Sequence, residues 1–194
     1  MSYKGIQIAM LCGVTALSSG AVYGPTCTSG SGMGSGMKGT NFSMHDKMFL
    51  KKSAAGNMAE IQTAHIALDK SQSEDVKNFA QKMIDDHTKL SDQMKPFMEK
   101  AGVPEPTKLN SEDAMMDKKL SGMSGDAFDK QYITAMVKDH HKDLAEFKTE
   151  VSSTKNEELK SSVSQGEQVI QEHVTMIEGI AQKHGISAPH SGSM

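Results

Sequence analysis

Apolar residues recur along this chain in four long stretches, residues 44–70, 73–101, 124–154 and 156–184, each of helical propensity throughout. In the second stretch Val76, Ala80, Met83, His87, Leu90, Met94 and Phe97 follow one another at alternating steps of four and three. In the third, Ile133, Val137, His140, Leu144, Phe147 and Val151 do the same, and in the fourth Leu159, Val163, Gly166, Ile170, His173, Ile177 and Ile180. Such seams bury one stripe of each helix at a shallow crossing angle. They predict an all-α, antiparallel four-helix bundle with a long crossover between its second and third helices. The first stretch is less regular. Its apolar seam reads Leu50, Ala54, Met58, Ile61, His65 and Leu68, with Glu60 on the edge of a wide stripe.

The breaks agree with the pattern. Ser71 and Ser73 precede Glu74 and Asp75, the composition of a helix start. AGVPEP ends the same helix, with Gly102 to close it and Pro104 and Pro106 to stop its resumption. Ser124 and Asn156 lead the last two stretches, and Gly185 closes the fourth. Within the crossover, LNSEDAMMDKKLSGM is expected to add one short helix.

Each of the last three seams carries a histidine where its period asks for an apolar residue. His140 and His173 lie about 15 and 18 residues from the turn near Lys155, His87 about 15 from the turn near Ser71, and Glu60 about 12 on the other arm. At ~1.5 Å per residue these offsets fall within about one helical turn, so His87, His140, His173 and Glu60 can share one layer. His65 lies nearer its turn and is the poorer candidate. Imidazoles with one carboxylate are a competent ligand set for one divalent zinc, iron, manganese or copper ion. Asp86 and Asp139 precede two of the histidines, although a neighbour one residue away points elsewhere on its helix. The competing reading is a metal-free polar core, with each imidazole bonded to Tyr132, a serine or backbone.

Composition narrows the rest. At 194 residues there is room for one domain with a proper core. A net charge of -3 and a pI near 6.2 give no footprint for nucleic acid. Tryptophan is absent and aromatics are 5%, which suits helices. No GxSxG motif or phosphate-cradling glycine loop occurs, so nothing marks an activated nucleophile. A redox enzyme is the weakest class on the sequence, since it needs an open coordination position and a substrate pocket.

The N-terminus has Lys4, an apolar run from Ile6 to about Leu17, and small residues up to Ala21, which reads as a signal peptide over residues 1–21 and places the protein outside the cytoplasm, in the periplasm. The run is shorter than a membrane span requires. Residues 22–43 form a Gly/Ser/Met linker, 44–185 the helical domain and 186–194 a tail. Cys27 is the single cysteine beyond the signal, so it has no partner within the chain and is a candidate lipid tether that would anchor the protein to the envelope. Sixteen methionines include Met33, Met37, Met44 and Met48, grouped with His45; with His184, His190 and Met194 at the other terminus they are a candidate soft-metal set for copper, against core filling elsewhere.

Three segments, FLKKSAAGNMAEIQTAHIALDKSQSEDVKNFAQKMIDDHTKL, FDKQYITAMVKDHHKDLAEFK and QEHVTMIEGIAQKHG, resemble the DUF4142 family of exported bacterial proteins, over about residues 44–184. The matching positions are Gly56 or Asn57 with Glu60, Asp86-His87, Phe128-Asp129 with Tyr132, Asp139-His140 and Glu172-His173. The resemblance implies a ferritin-like bundle and no settled biochemical activity. Di-iron proteins of that class carry Glu-x-x-His on two helices. Here Ile84, Val137 and Ile170 stand three residues before the three histidines, which leaves a single-metal or a metal-free layer rather than a ferroxidase.

Overall fold

The structure, a computed structural model, describes residues 42–187. Within that span every regular element is helical: α1 (Met44–Lys70), α2 (Glu74–Ala101), α3 (Ser111–Ser121), α4 (Gly125–Ser153) and α5 (Glu157–Lys183). The four long helices match the four periodic stretches, and α3 is the short helix of the crossover. The signal segment, Cys27, nearly all of the linker and residues 188–194 lie outside the described residues.

Polar side chains fix the helix starts. Ser43 caps α1 through its hydroxyl while Asp46 reaches back to the Ser43 amide at 2.7 Å, a reciprocal capping box. Asn110 accepts from Glu112 and Asp113 at the start of α3, and Asn156 accepts from the Leu159 amide at the start of α5. Gly102 ends α2 in the left-handed region at φ 67°, a conformation that glycine takes without steric penalty.

Helix α1 packs on α2 and α4, and α5 packs on α4 and α2, so the four form a square in which each neighbour is antiparallel. The crossover runs the length of the bundle and lays α3 against α1 and α4. Leu120 anchors α3 in the core, and Thr63 donates to Asp117 at 2.6 Å. At the far end of the crossover, the buried Ser71 hydroxyl donates to Asp129 at 2.5 Å, tying the α1–α2 turn to α4. Phe128 stacks on Tyr132 beside it, with ring centroids 5.8 Å apart. The FD-x-x-Y pattern is thereby accounted for as a packing device.

The core forms two apolar clusters. One, around Ala67, Val76, Phe79, Met83, Phe128, Tyr132 and Ile177, fills the end near the α1–α2 turn. The other, around Leu50, Leu90, Met94, Phe147, Leu159 and Ile170, fills the opposite end. Gly166 lets α5 approach α4 closely: a Cβ there would lie 2.6 Å from Phe147 Cε1.

All seven seam positions read for the fourth stretch are buried on α5. On α2 the seam drifts at its end, where Met98 is buried and Phe97 only partly so, because a straight helix at 3.6 residues per turn rotates away from a 3.5 repeat. Similarly, Val151 of α4 is half-buried while Glu150 is enclosed. The expected seam of α1 is one residue off. Asn57, Glu60, Ala64 and Ala67 face the core with Leu50, while Met58, Ile61 and Leu68 are half-buried and His65 is exposed. The buried stripe of α1 is polar and small, so counting apolar residues selects the adjacent face.

Candidate metal centre

Between the two apolar clusters lies a layer of polar side chains. His87 of α2, His140 of α4 and His173 of α5 are all 0% exposed, and Glu60 of α1 is 6% exposed. The ring centroids are 6.0, 5.3 and 5.4 Å apart for the His87–His140, His87–His173 and His140–His173 pairs. Phe79 packs against the layer in T-shaped contact with His140 and His173, with ring centroids 5.8 and 6.2 Å apart.

One nitrogen of each ring is tied to an acceptor. His140 Nδ1 donates to the Met136 carbonyl at 2.9 Å, and His173 Nε2 donates to Asp86 Oδ2 at 3.1 Å. His87 Nδ1 faces Asn57 Oδ1 at 2.8 Å and Glu60 Oε2 at 3.0 Å. Acceptors at these positions place the proton on the tied nitrogen. The lone pair is then left on His87 Nε2, His140 Nε2 and His173 Nδ1, and all three of these atoms are buried without a hydrogen-bond partner. The three histidines each offer one ligand atom within 4.8 Å of the others.

A buried polar atom without a partner costs about 1–3 kcal/mol, and three in one place call for an occupant. A tetrahedral ion with Zn–N near 2.0 Å separates its ligands by about 3.3 Å, so small rotamer adjustments would close the group on a metal. Glu60 Oε1 is likewise unpartnered and lies 3.6 Å from His140 Nε2, too long for a hydrogen bond and near that ligand–ligand edge.

The electrostatics hold the imidazoles neutral. Burial pushes His140 down to about 3, helped by His173. Burial and then the other two histidines push His87 well below its ordinary value. His173 is lowered by burial although Asp86 opposes the shift. Asp86 itself stays below the carboxylate range: partial burial works against its charge, but Lys82, His173 and Lys89 outweigh it. Neutral imidazole is the form that binds metal. Glu60 is raised well above its ordinary value by burial and then by Asp143 and Asp139.

A cavity of about 250 Å³ opens beside the layer and is lined by Glu60 and His87 at its inner end and by Asp113, Asp139, Asp143, Glu146, Lys52 and Lys142 toward the outside. Burial raises Asp143 to about 7, and neighbouring carboxylates add to the shift. Carboxyls outnumber the two lysines along this approach, and a cation can take the place of the proton that burial leaves on Asp143, against the pull of Lys142.

The four residues expected in one layer do meet there. His65 and Asp139 do not join them, and Tyr132, considered as a partner for a histidine, has its hydroxyl unpartnered. Asp86 does face away from its neighbour His87 and binds the ring of His173 across the helix interface instead. Asn57 entered the sequence reading only as a position, alternative to Gly56, that matches the family pattern with Glu60. Its bond to His87 was not foreseen, although its place three residues before Glu60 puts it on the same helical face. Of the methionine–histidine grouping, Met44 and Met48 are exposed, His45 turns to Glu150 at 2.7 Å and His184 to Asp75 at 3.2 Å; Met33, Met37, His190 and Met194 lie outside the described residues.

The DUF4142 domain, a domain of unknown function, matches residues 33–180. The chain belongs to the DUF4142 family. The match spans the polar layer and all five helices except the last residues of α5. No curated protein matches the chain. A similar solved structure is that of a DUF305 protein from Streptomyces coelicolor, described as secreted. It is 14% identical, covers 77% of this chain and 97% of its own, and superposes with a TM-score of 0.62. At that identity the likeness concerns the fold, and it agrees with the helical bundle of this DUF4142 protein. No helix among the described residues is long and apolar enough to cross a membrane.

Proposed function

We propose that this DUF4142 protein is an exported metal-handling protein of the cell envelope that binds one divalent transition metal through His87, His140, His173 and Glu60. The observation that carries the reading is the set of three buried imidazole nitrogens, each left with a free lone pair because the opposite nitrogen is bonded to Asn57 and Glu60, to Met136 or to Asp86. A metal is the occupant whose chemistry uses three converging lone pairs at once. Glu60, which burial holds protonated, would give up its proton on binding and so supply charge to the ion, and the cavity lined by carboxyls supplies the route inward.

Nitrogen-rich ligation with one carboxylate suits zinc, iron, manganese or copper. Bridging carboxylates for two irons are missing, so the site is mononuclear and the role is binding or buffering rather than ferroxidase chemistry. Export is supported by the basic-apolar-small N-terminal segment and by the secreted description of the DUF305 protein of like fold.

The test is elemental analysis of untagged protein from the periplasm, beside a variant with alanine at residues 87, 140 and 173. Near-stoichiometric metal that is lost in the variant is the expected result. Metal-free wild type that also shows no thermal shift with zinc, iron, manganese or copper would overturn the site and leave the layer as the polar core of an interaction module.

A further inference from the structure

A second group of ligating side chains lies at the other end of α1, about 20 Å along the helix from Glu60. His45 and Asp46 stand in the first turn of α1, and Glu150 stands in the last turn of α4. Each offers a ligand atom, and the three atoms lie within 4.8 Å of one another. Glu150 is 0% exposed and Asp46 2%, and apart from each other and a Thr154 contact to Asp46, Asp46 Oδ1 and Glu150 Oε1 have no hydrogen-bond partner. Asp46 Oδ2 is already used by the Ser43 amide. His45 Nδ1 approaches Glu150 Oε2 at 2.7 Å and the Ser153 hydroxyl at 3.3 Å, and its ring is half exposed.

Two enclosed carboxyls side by side cannot both hold a charge. Burial opposes ionisation of Asp46, but the Ser43 amide, Glu150 and Thr154 outweigh it and keep Asp46 below its ordinary value. Glu150 therefore keeps the proton, and the end of α4 makes its ionisation worse. The C-terminus of a helix carries partial negative charge, so a buried glutamate there is in the least favourable place along the helix. Basic residues normally offset this, and the last turn of α4 has none. Burial and Asp46 accordingly raise Glu150 to about 8. A cation relieves all of these terms together.

We propose that His45, Asp46 and Glu150 form a second divalent-metal site, open to solvent on the His45 side and independent of the central layer. One imidazole nitrogen and two carboxylate oxygens are ligands for an ion of the zinc or manganese class, with water completing the shell. By joining the start of α1 to the end of α4, the ion would clip the end of the bundle that follows the linker. The site needs only side chains already in contact, whereas the exposed Met44 and Met48 lie outside it.

The experiment is a Zn²⁺ titration against a chromophoric chelator, with the wild-type protein, His45→Ala, Glu150→Gln, His140→Ala and the His45→Ala/His140→Ala double variant. His45 is half exposed, and Glu150→Gln keeps the shape of a carboxyl that burial already holds largely protonated, so both single variants are expected to retain full helical circular dichroism. Wild type is expected to bind two equivalents, each single variant one, and the double variant none. Should the central layer bind no metal, wild type binds one equivalent, which survives in His140→Ala and is lost in His45→Ala and Glu150→Gln. Equal stoichiometry and affinity in wild type, His45→Ala and Glu150→Gln would overturn the site and leave Asp46 and Glu150 as a carboxyl pair sharing a proton.

Discussion

Replacing His140 by alanine separates the metal reading from the polar-core reading, because the two assign different magnitudes to different observables. The ring is wholly buried, donates from Nδ1 to Met136 and leaves Nε2 without a partner. Truncating a buried side chain of this size costs about 2–5 kcal/mol in lost contacts and cavity. Removing the orphaned Nε2 returns about 1–3 kcal/mol of desolvation, so the metal-free protein should lose only about 1–2 kcal/mol. For a domain of this size that is a fall in Tm of about 2–8 °C in the presence of a chelator. The metal term is larger. Structural zinc sites contribute about 10–16 kcal/mol over four ligands, so deleting one is worth about 3 kcal/mol, or roughly a hundredfold in Kd. Chelator-competition titration with Zn²⁺ reads the second quantity, and urea denaturation in chelator reads the first. A Kd within threefold of wild type, with the stability loss as stated, would refute His140 as a ligand and with it the central site as drawn.

Asp86→Asn should weaken metal binding by about 10–100-fold while changing the chelated protein's stability by less than about 1 kcal/mol, since the carboxylate holds the His173 tautomer and otherwise pairs with surface lysines; an unchanged Kd would count against that role. Gly166→Ala should destabilise the bundle by about 1–2 kcal/mol in urea denaturation, because overpacking against Phe147 outweighs the roughly 1 kcal/mol gained in helix propensity; a stabilised variant would contradict the close approach of α4 and α5. In chelator, Glu150→Gln should be more stable than wild type by a margin that grows with pH. The folded-state carboxyl is raised to about 8 by burial and Asp46, so the wild-type contribution is present below the ordinary value of 4.5 and lost as pH rises through about 8. A margin that shrinks across pH 5–8 would show the sign to be wrong.

Periodicity and helix punctuation were enough for the architecture. Four stretches with clear starts and stops, three of them with continuous seams, became α1, α2, α4 and α5, and the long crossover and its short helix followed from the prolines and capping residues between them. The same one-dimensional reasoning gave depth: counting from the turns placed Glu60, His87, His140 and His173 at one level, since rise per residue is constant in a helix. It misjudged the rotation of α1, where Asn57 and Glu60 occupy the buried stripe and an apolar count favours Met58 and Ile61 by one residue, or 100° around the helix.

The sequence by itself determined which helices form, that they pack as a bundle, and the height at which the histidines stand. Only the tertiary structure decided which nitrogen each ring presents to the centre, that Asp86 supports His173 rather than its neighbour His87, that the acidic cavity ends at Glu60, and that Glu150 meets His45 and Asp46 more than 100 residues away in the chain. The reason is physical. Helix formation and depth depend on local spacing along one chain segment, whereas tautomer, partner choice and charge depend on what a neighbouring helix brings within about 3 Å, and no pattern along a single helix encodes its azimuth against another.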